Sequence, residues 1–111
     1  MKYKVFLTKD AEDDIFEIYQ YIFKNDSENK ANYVFNKIKE TCLSLISYTV
    51  HGHNPPELKR IDVFNYKEIH FKPYRIIYRI DSDKIYVYLI ADGRRDMQTL
   101  LQRRILGAEG L

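Results

Sequence analysis

The 111-residue sequence predicts an α+β domain: a short N-terminal strand, a helical hairpin, then an antiparallel three-stranded meander with a short C-terminal helix. Three observations carry this reading. Two stretches between residues 9 and 47 place apolar side chains at helical spacing. Tyr74, Ile76, Tyr78 and Ile80 alternate with Arg75, Ile77 and Arg79, the period of a strand with two unlike faces. The run from Ile85 to Ala91 is β-branched and aromatic almost throughout, as expected of a strand covered on both sides.

Taken in order, residues 2–7 alternate, with Tyr3, Val5 and Leu7 on one side, and form the first strand. Thr8 is a suitable N-cap, and Asp10, Glu12, Asp13 and Asp14 load the first turns with charge that suits the helix dipole. Ala11, Ile15, Ile18 and Ile22, with Tyr19 and Phe23, then recur at helical spacing, giving a helix from Lys9 to about Lys24. Asn25, Asp26 and Ser27 break it. Ser27 caps a second helix from Glu28 to about Ser47, whose stripe is Ala31, Phe35, Ile38, Cys42 and Leu45, backed by Val34 and Ile46. The short break favours an antiparallel hairpin, and both stripes read as core.

Residues 48–58 have no periodicity and contain His51, Gly52, His53, Asn54, Pro55 and Pro56, so they read as a loop. Histidines two apart can bind a metal, but no third ligand accompanies His51 and His53 at a known spacing, and no metal or cofactor is expected. Residues 59–65 fit neither period. Tyr66 to Phe71 is the next strand, Lys72 and Pro73 the turn after it. Asp92 and Gly93 end the last strand, and Asp96 caps a short helix with Met97, Leu100, Leu101 and Ile105 on one face. Gly107 and Gly110 mark a loose C-terminus.

The totals are consistent with one domain spanning residues 1–111, with no repeat or linker. Hydrophobic residues make up 45%, enough for a core, and the formal net charge is only +2. Its distribution is uneven: residues 1–28 carry four basic and seven acidic side chains, whereas residues 29–111 carry fourteen and nine. A mildly basic second half can face an anionic partner or simply be a solvated surface. Cys42, the single cysteine, permits no intrachain disulfide and fits a helix core face. No run approaches the roughly 20 apolar residues of a membrane span, and the N-terminus opens into a strand-like alternation rather than a signal peptide. The expectation is a soluble, cytoplasmic protein.

Two-residue loops at Lys72-Pro73 and Ser82-Asp83 fix a register and hence the face of each residue. One face of the meander collects Lys67, Ile69, Phe71, Tyr74, Ile76, Tyr78, Ile85, Val87, Leu89 and Ala91, an apolar surface for the two helices. The other collects Tyr66, Glu68, His70, Arg75, Ile77, Arg79, Tyr86, Tyr88 and Ile90, with His70 opposite Arg75 and Tyr66 opposite Arg79. This second face suits stacking on bases and neutralising phosphates, or docking a peptide; it also suits a half-exposed sheet under the C-terminal helix. Metal-free RNA cleavage needs a base, an acid and cations on the phosphate: Glu68, His70, and Arg75 with Arg95 are the residue types for it. As a binding surface, the same face offers Tyr66, Arg75, Arg79, Arg94 and Arg95.

The segment from Leu7 to Ile22, the stretch Lys67 to Arg79, and the run from Val87 to Asp96 with its Asp92-Gly93-Arg94-Arg95 corner together resemble the RelE/ParE superfamily, the toxin half of bacterial type II toxin–antitoxin modules, some of which act in plasmid stabilization. The resemblance spans nearly the whole chain and implies a RelE/ParE-like fold in the element order given above. It also implies a cognate antitoxin that wraps the toxin in a hetero-oligomer. The RelE branch cuts mRNA on the ribosome. By position, Arg75 matches its central arginine and Arg95 the arginine of its basic corner, whereas two of its lysines fall at Tyr66 and Glu68 and its tyrosine near Leu101. A sister branch uses glutamate, arginine and histidine, which Glu68, Arg75 and His70 match. The ParE branch poisons DNA gyrase and lacks the nuclease set, and the pattern is nearer to ParE. The resemblance therefore implies growth inhibition through DNA gyrase without catalysis. The alternative is a metal-independent, ribosome-dependent mRNA endonuclease using Glu68, His70, Arg75 and Arg95.

Overall fold

A computed structural model describes residues 3–47 and 52–107. Strand β1 (Lys4–Leu7) leads into helix α1 (Lys9–Asn25) and helix α2 (Glu28–Ser44); a short helix α3 (Pro56–Lys59) precedes strands β2 (Lys67–Phe71), β3 (Tyr74–Asp81) and β4 (Lys84–Asp92), and helix α4 (Met97–Leu106) follows. The strands form one sheet in the order β1-β4-β3-β2. The meander is antiparallel, as the sequence predicts, but β1 joins it parallel to β4, so the sheet is mixed. A parallel partner requires a crossover, and the α1–α2 hairpin supplies it.

The helix starts follow from local chemistry. The Thr8 hydroxyl accepts from the Ala11 amide at 3.1 Å, the Ser27 hydroxyl from Lys30 at 3.1 Å, and the Asp96 carboxylate from Thr99 at 3.2 Å. Each satisfies an amide that the first turn leaves without a partner. The second helix ends at Ser44, earlier than the predicted Ser47, in a run of turns over residues 45–47. Its buried stripe passes through Val34 rather than Phe35, which lies at the surface with Ile46. Both positions fit helical spacing; which one is buried depends on the face that α2 turns to its neighbours. Cys42 is buried in this stripe, and burial pushes its thiol up to about 12, so it is an inert hydrophobe.

Helix α3 begins inside residues 48–58, predicted as a loop, and Pro56 sits at its first turn, where a missing amide costs nothing. His51 lies outside the described residues. His53 pairs with Glu68 as an isolated antiparallel bridge, through Glu68 N to His53 O at 2.7 Å and His53 N to Glu68 O at 3.2 Å.

The expected two-residue loops are present, and His70 lies opposite Arg75. The face assignment needs one correction. Ile77 pairs with Leu89 but Tyr78 pairs with Val87, so Tyr88 is an extra residue in β4. A one-residue bulge inverts the parity of everything beyond it. Ile90, expected on the open face, therefore packs under the helical hairpin with Ile76, Tyr78, Ile85 and Val87. Leu89 and Ala91, expected under the hairpin, instead join Ile77, Tyr66, Leu58, Met97 and Leu101 in a second core beneath α3 and α4. The sheet is thus a central layer with helices on both faces.

Strand β1 covers the outer edge of β4 only as far as Val87, where the Thr8 amide takes the Val87 carbonyl. Beyond that point the edge is closed by side chains. The Asp14 carboxylate accepts from the Ile90 amide at 2.9 Å, and Arg104 donates to the Tyr88 carbonyl at 2.8 Å. The same Arg104 grips Asp14 through two bonds of 2.8 and 3.0 Å, tying α4 to α1. No helix among the described residues is long and apolar enough to cross a membrane.

Because Arg104 fills three acceptors at once, Arg104→Ala is expected to cost about 2 kcal/mol, on the order of a 10 °C fall in Tm. Arg104→Lys should recover less than half of it, since an ammonium cannot reproduce the planar fork. Thermal unfolding followed by circular dichroism checks both; an unchanged Arg104→Ala midpoint would remove the edge-closing role.

Candidate functional site

The Arg75 stem starts on β3 and runs over the turn after β4. Gly93 makes this possible: a Cβ there would stand 2.9 Å from the Arg75 Cδ and 3.3 Å from the Pro73 carbonyl, which the Gly93 amide already binds. The guanidinium then reaches two carboxylates. Its Nε and Nη2 donate to Glu68 Oε1 and Oε2 at 2.6 and 3.0 Å, and its Nη1 and Nη2 donate to Glu57 Oε2 and Oε1 at 2.8 and 2.7 Å. Only 14% of the Arg75 side chain and 2% of the Glu68 side chain are exposed. Two bidentate carboxylates hold the Arg75 charge firmly, raising its pKa despite the cost of burial. The reciprocal effect holds Glu57 below the usual carboxylate range, the Arg75 hydrogen bonds outweighing its desolvation.

Two histidines complete the cluster. His53 Nε2 lies 3.2 Å from Glu68 Oε2, and His70 Nε2 lies 3.4 Å from Glu68 Oε1. The rings meet edge to face with centroids 5.4 Å apart. Both imidazoles border an open cleft of about 540 Å³ between the end of α2 and the edge of β2.

Of the residues the sequence singles out, Glu68, His70 and Arg75 do converge. The rest separate. Arg79 lies over the rings of Tyr66 and Tyr88, 5.9 and 5.6 Å from their centroids, so the predicted Tyr66–Arg79 neighbours meet by cation–π stacking at the margin of the second core. Arg94 is paired with Asp92, whose pKa it holds down. The Arg95 side chain is exposed and makes no hydrogen bond or ion pair among the described residues. Arg94 and Arg95 line a different cavity, with Asp14, Glu17, Tyr21 and Tyr74. Sequence reasoning missed Glu57 and the role of His53. The proline pair before Glu57 was a usable signal for a helix start, and hence for an ordered carboxylate; nothing local marked His53 as a neighbour of Glu68.

A second feature is an apolar groove of about 690 Å³ along β1, α1 and α2, lined among others by Val5, Leu7, Ile15, Phe16, Tyr19 and Phe35. Phe16 is 59% exposed, a large apolar group left in water. The groove runs beside β1, which is an edge strand of the sheet.

This is the architecture of a known group of small proteins. Residues 5–97 match the family model described as the ParE toxin of the type II toxin–antitoxin system, parDE. The chain belongs to the ParE toxin family. Solved structures agree on the fold. A chain of the chromosomal ParDE toxin–antitoxin system from P. aeruginosa superposes with a TM-score of 0.69 at 18% identity, covering 82% of this chain and 96% of that one. A chain of the RelBE2 toxin–antitoxin complex from Mycobacterium tuberculosis superposes with a TM-score of 0.62 at 16% identity, covering 83% and 99%. No curated protein sequence matches the chain.

Two outcomes are expected from the cluster. Because the Glu57 pKa is depressed in the folded state, its stabilisation is complete above about pH 5 and fades as the pH falls below the ordinary glutamate value of about 4.3. Glu57→Gln should therefore lower the urea midpoint at pH 7 and flatten its decline towards pH 3; a parallel decline in both proteins would refute the linkage. Gly52→Ala should destabilise by about 1–3 kcal/mol, because a Cβ there would overlap the hydroxyl of the fully buried Tyr78. Chemical denaturation reads this directly, and wild-type stability in the variant would mean the loop can move aside.

Proposed function

We propose that this ParE-family chain inhibits growth by binding DNA gyrase rather than by cutting RNA, and that a cognate antitoxin silences it from the groove beside β1. The observation that carries the first part is the state of Arg75. The guanidinium that a nuclease would aim at phosphate is bound at both edges by Glu57 and Glu68. In turn Glu68, the candidate base, has both oxygens engaged by Arg75. A general base must reach its proton and a phosphate clamp must reach its anion. Here the two neutralise each other, while Arg95 lines another cavity. The arrangement supports a role for Arg75 in holding β2, β3 and α3 together. The exposed Arg95 and the Arg94–Asp92 corner then offer contacts to the target.

The antitoxin is assigned to the hairpin side because a long apolar groove lies beside an edge strand there. An apolar-faced helix can fill the groove, or an extended segment can add to β1. The alternative, mRNA cleavage at the ribosome, keeps Glu68 and His70 as acid and base and needs the Arg75 cluster to open.

Pulse labelling of DNA and protein synthesis minutes after induction separates the targets. Early loss of DNA synthesis with an SOS response is expected; early loss of protein synthesis with DNA synthesis intact would sink the gyrase assignment. Toxicity should persist in His70→Ala, whereas a ribonuclease would lose on the order of 10²–10⁴ in rate. For the antitoxin, Phe16→Asp should leave the fold intact and weaken the complex roughly 10- to 100-fold, the effect of removing one buried phenylalanine. Titration calorimetry with the neighbouring gene product tests it, and undiminished affinity would move the antitoxin elsewhere.

A further inference from the structure

The histidines around Glu68 have a geometry that the gyrase reading leaves unused. His53, Glu68 and His70 each offer a donor atom, and the three atoms lie within 4.8 Å of one another. We propose that His53, Glu68 and His70 form a binding site for a divalent transition-metal ion of the zinc type, at the mouth of the cleft between α2 and β2. This site is independent of the gyrase and antitoxin assignments.

Distances, chemistry and charge support it together. Zinc–nitrogen and zinc–oxygen bonds of about 2.0–2.1 Å place neighbouring ligands of a tetrahedral ion about 3.3 Å apart. The separations of His53 Nε2 from Glu68 Oε2 and of His70 Nε2 from Glu68 Oε1, 3.2 and 3.4 Å, are of that length, each to a different oxygen of the carboxylate. The remaining histidine–histidine edge must close somewhat, and the side chains are free to do so, being 60% and 38% exposed. Two imidazoles and one carboxylate are the ligand types that zinc, cobalt and nickel prefer over magnesium or calcium.

The ion requires Glu68 to have lone pairs to give. A carboxylate has about four acceptor sites. Arg75 takes one on each oxygen, leaving the others towards the imidazoles. Arg75 thereby fixes the carboxylate from behind, as outer partners commonly do for metal ligands. Its charge does not repel the cation unopposed. Glu57 and Glu68 together outnumber the single Arg75 charge, so the three side chains carry a net charge of −1. The backbone is set as well: His53 is locked to Glu68 by two main-chain hydrogen bonds, and Glu68 and His70 are i and i+2 on one strand face. Three protein ligands leave a fourth position, which opens onto the cleft lined by Thr41 and Ser44. Such a site takes water or an outside donor there, unlike a closed structural site.

The test uses the 111-residue chain, freed of metal by chelation, titrated with zinc sulfate in a calorimeter. One equivalent should bind saturably, and zinc at about a hundredfold over its Kd should raise Tm by on the order of 5–10 °C. Cobalt should give the intense visible bands of a tetrahedral centre. His53→Ala and His70→Ala should each weaken zinc binding at least roughly 100-fold. Both side chains are exposed, so unfolding midpoints without metal should match the parent. Absence of saturable binding would overturn the proposal and leave the histidines as hydrogen-bond partners of Glu68. Parent-like affinity in His70→Ala would overturn it too, because the ion would then not need the third ligand assigned to it.

Discussion

Strand β4 touches every layer of this molecule, and the extra residue at Tyr88 decides how. Before the bulge, Ile85 and Val87 face the helical hairpin; after it, Ile90 does. The shift turns Leu89 and Ala91 to the other side, where with Ile77 they make a floor for Met97 and Leu101. Without the inversion, α4 would lack that floor. The bulge sits where β1 stops, so the edge beyond it must find other partners. Asp14 and Arg104 provide them, and the chain's two outer helices are joined by the same contact. A backbone irregularity, its polar repair and the seating of the last helix are therefore one event.

The charged cluster on the far edge follows a different logic. A buried glutamate costs much unless its charge is matched and its lone pairs are filled. Glu68 meets both conditions through Arg75, and Arg75 needs Glu57 because one carboxylate cannot occupy five donors. Each charge in the chain of contacts makes the next one tolerable. This network is what ties the short helix α3 to the sheet. It also sets Arg75 apart from Arg79, four residues further along β3: Arg75 is clamped by acids and Arg79 is sheathed in tyrosine rings.

Much of this was visible in the sequence wherever the determinant was local. Thr8, Ser27 and Asp96 announce helix starts because a cap needs only its own next residues. The pairing of His70 with Arg75 follows from a two-residue loop and the alternation around it. The bulge left no mark, because Tyr88 resembles its neighbours in a strand covered on both faces, where parity has no polar residue to report it. The choice between Val34 and Phe35 was likewise hidden, since spacings of three and four both satisfy a helix. For the candidate site, residue types pointed to Glu68, His70 and Arg75. That Glu57 and His53 close around them depends on a loop docking against the edge of β2, a tertiary event with no period to read. The family was recognisable from the same stretches whose local patterns were plain.

The parallel pairing of β1 has a consequence for how the molecule is made. Lys4 to Leu7 add to Lys84 to Val87, far along the sequence from them. The helical hairpin involves only near neighbours and can assemble early, whereas the sheet waits for long-range closure. During synthesis from the N-terminus, the strand that β1 must join does not yet exist while α1 and α2 are emerging. The apolar stripes of both helices, which later face the sheet, are then exposed on the nascent chain. The finished toxin can appear only after β4 has been translated, so an incomplete chain cannot present its folded surface to any target.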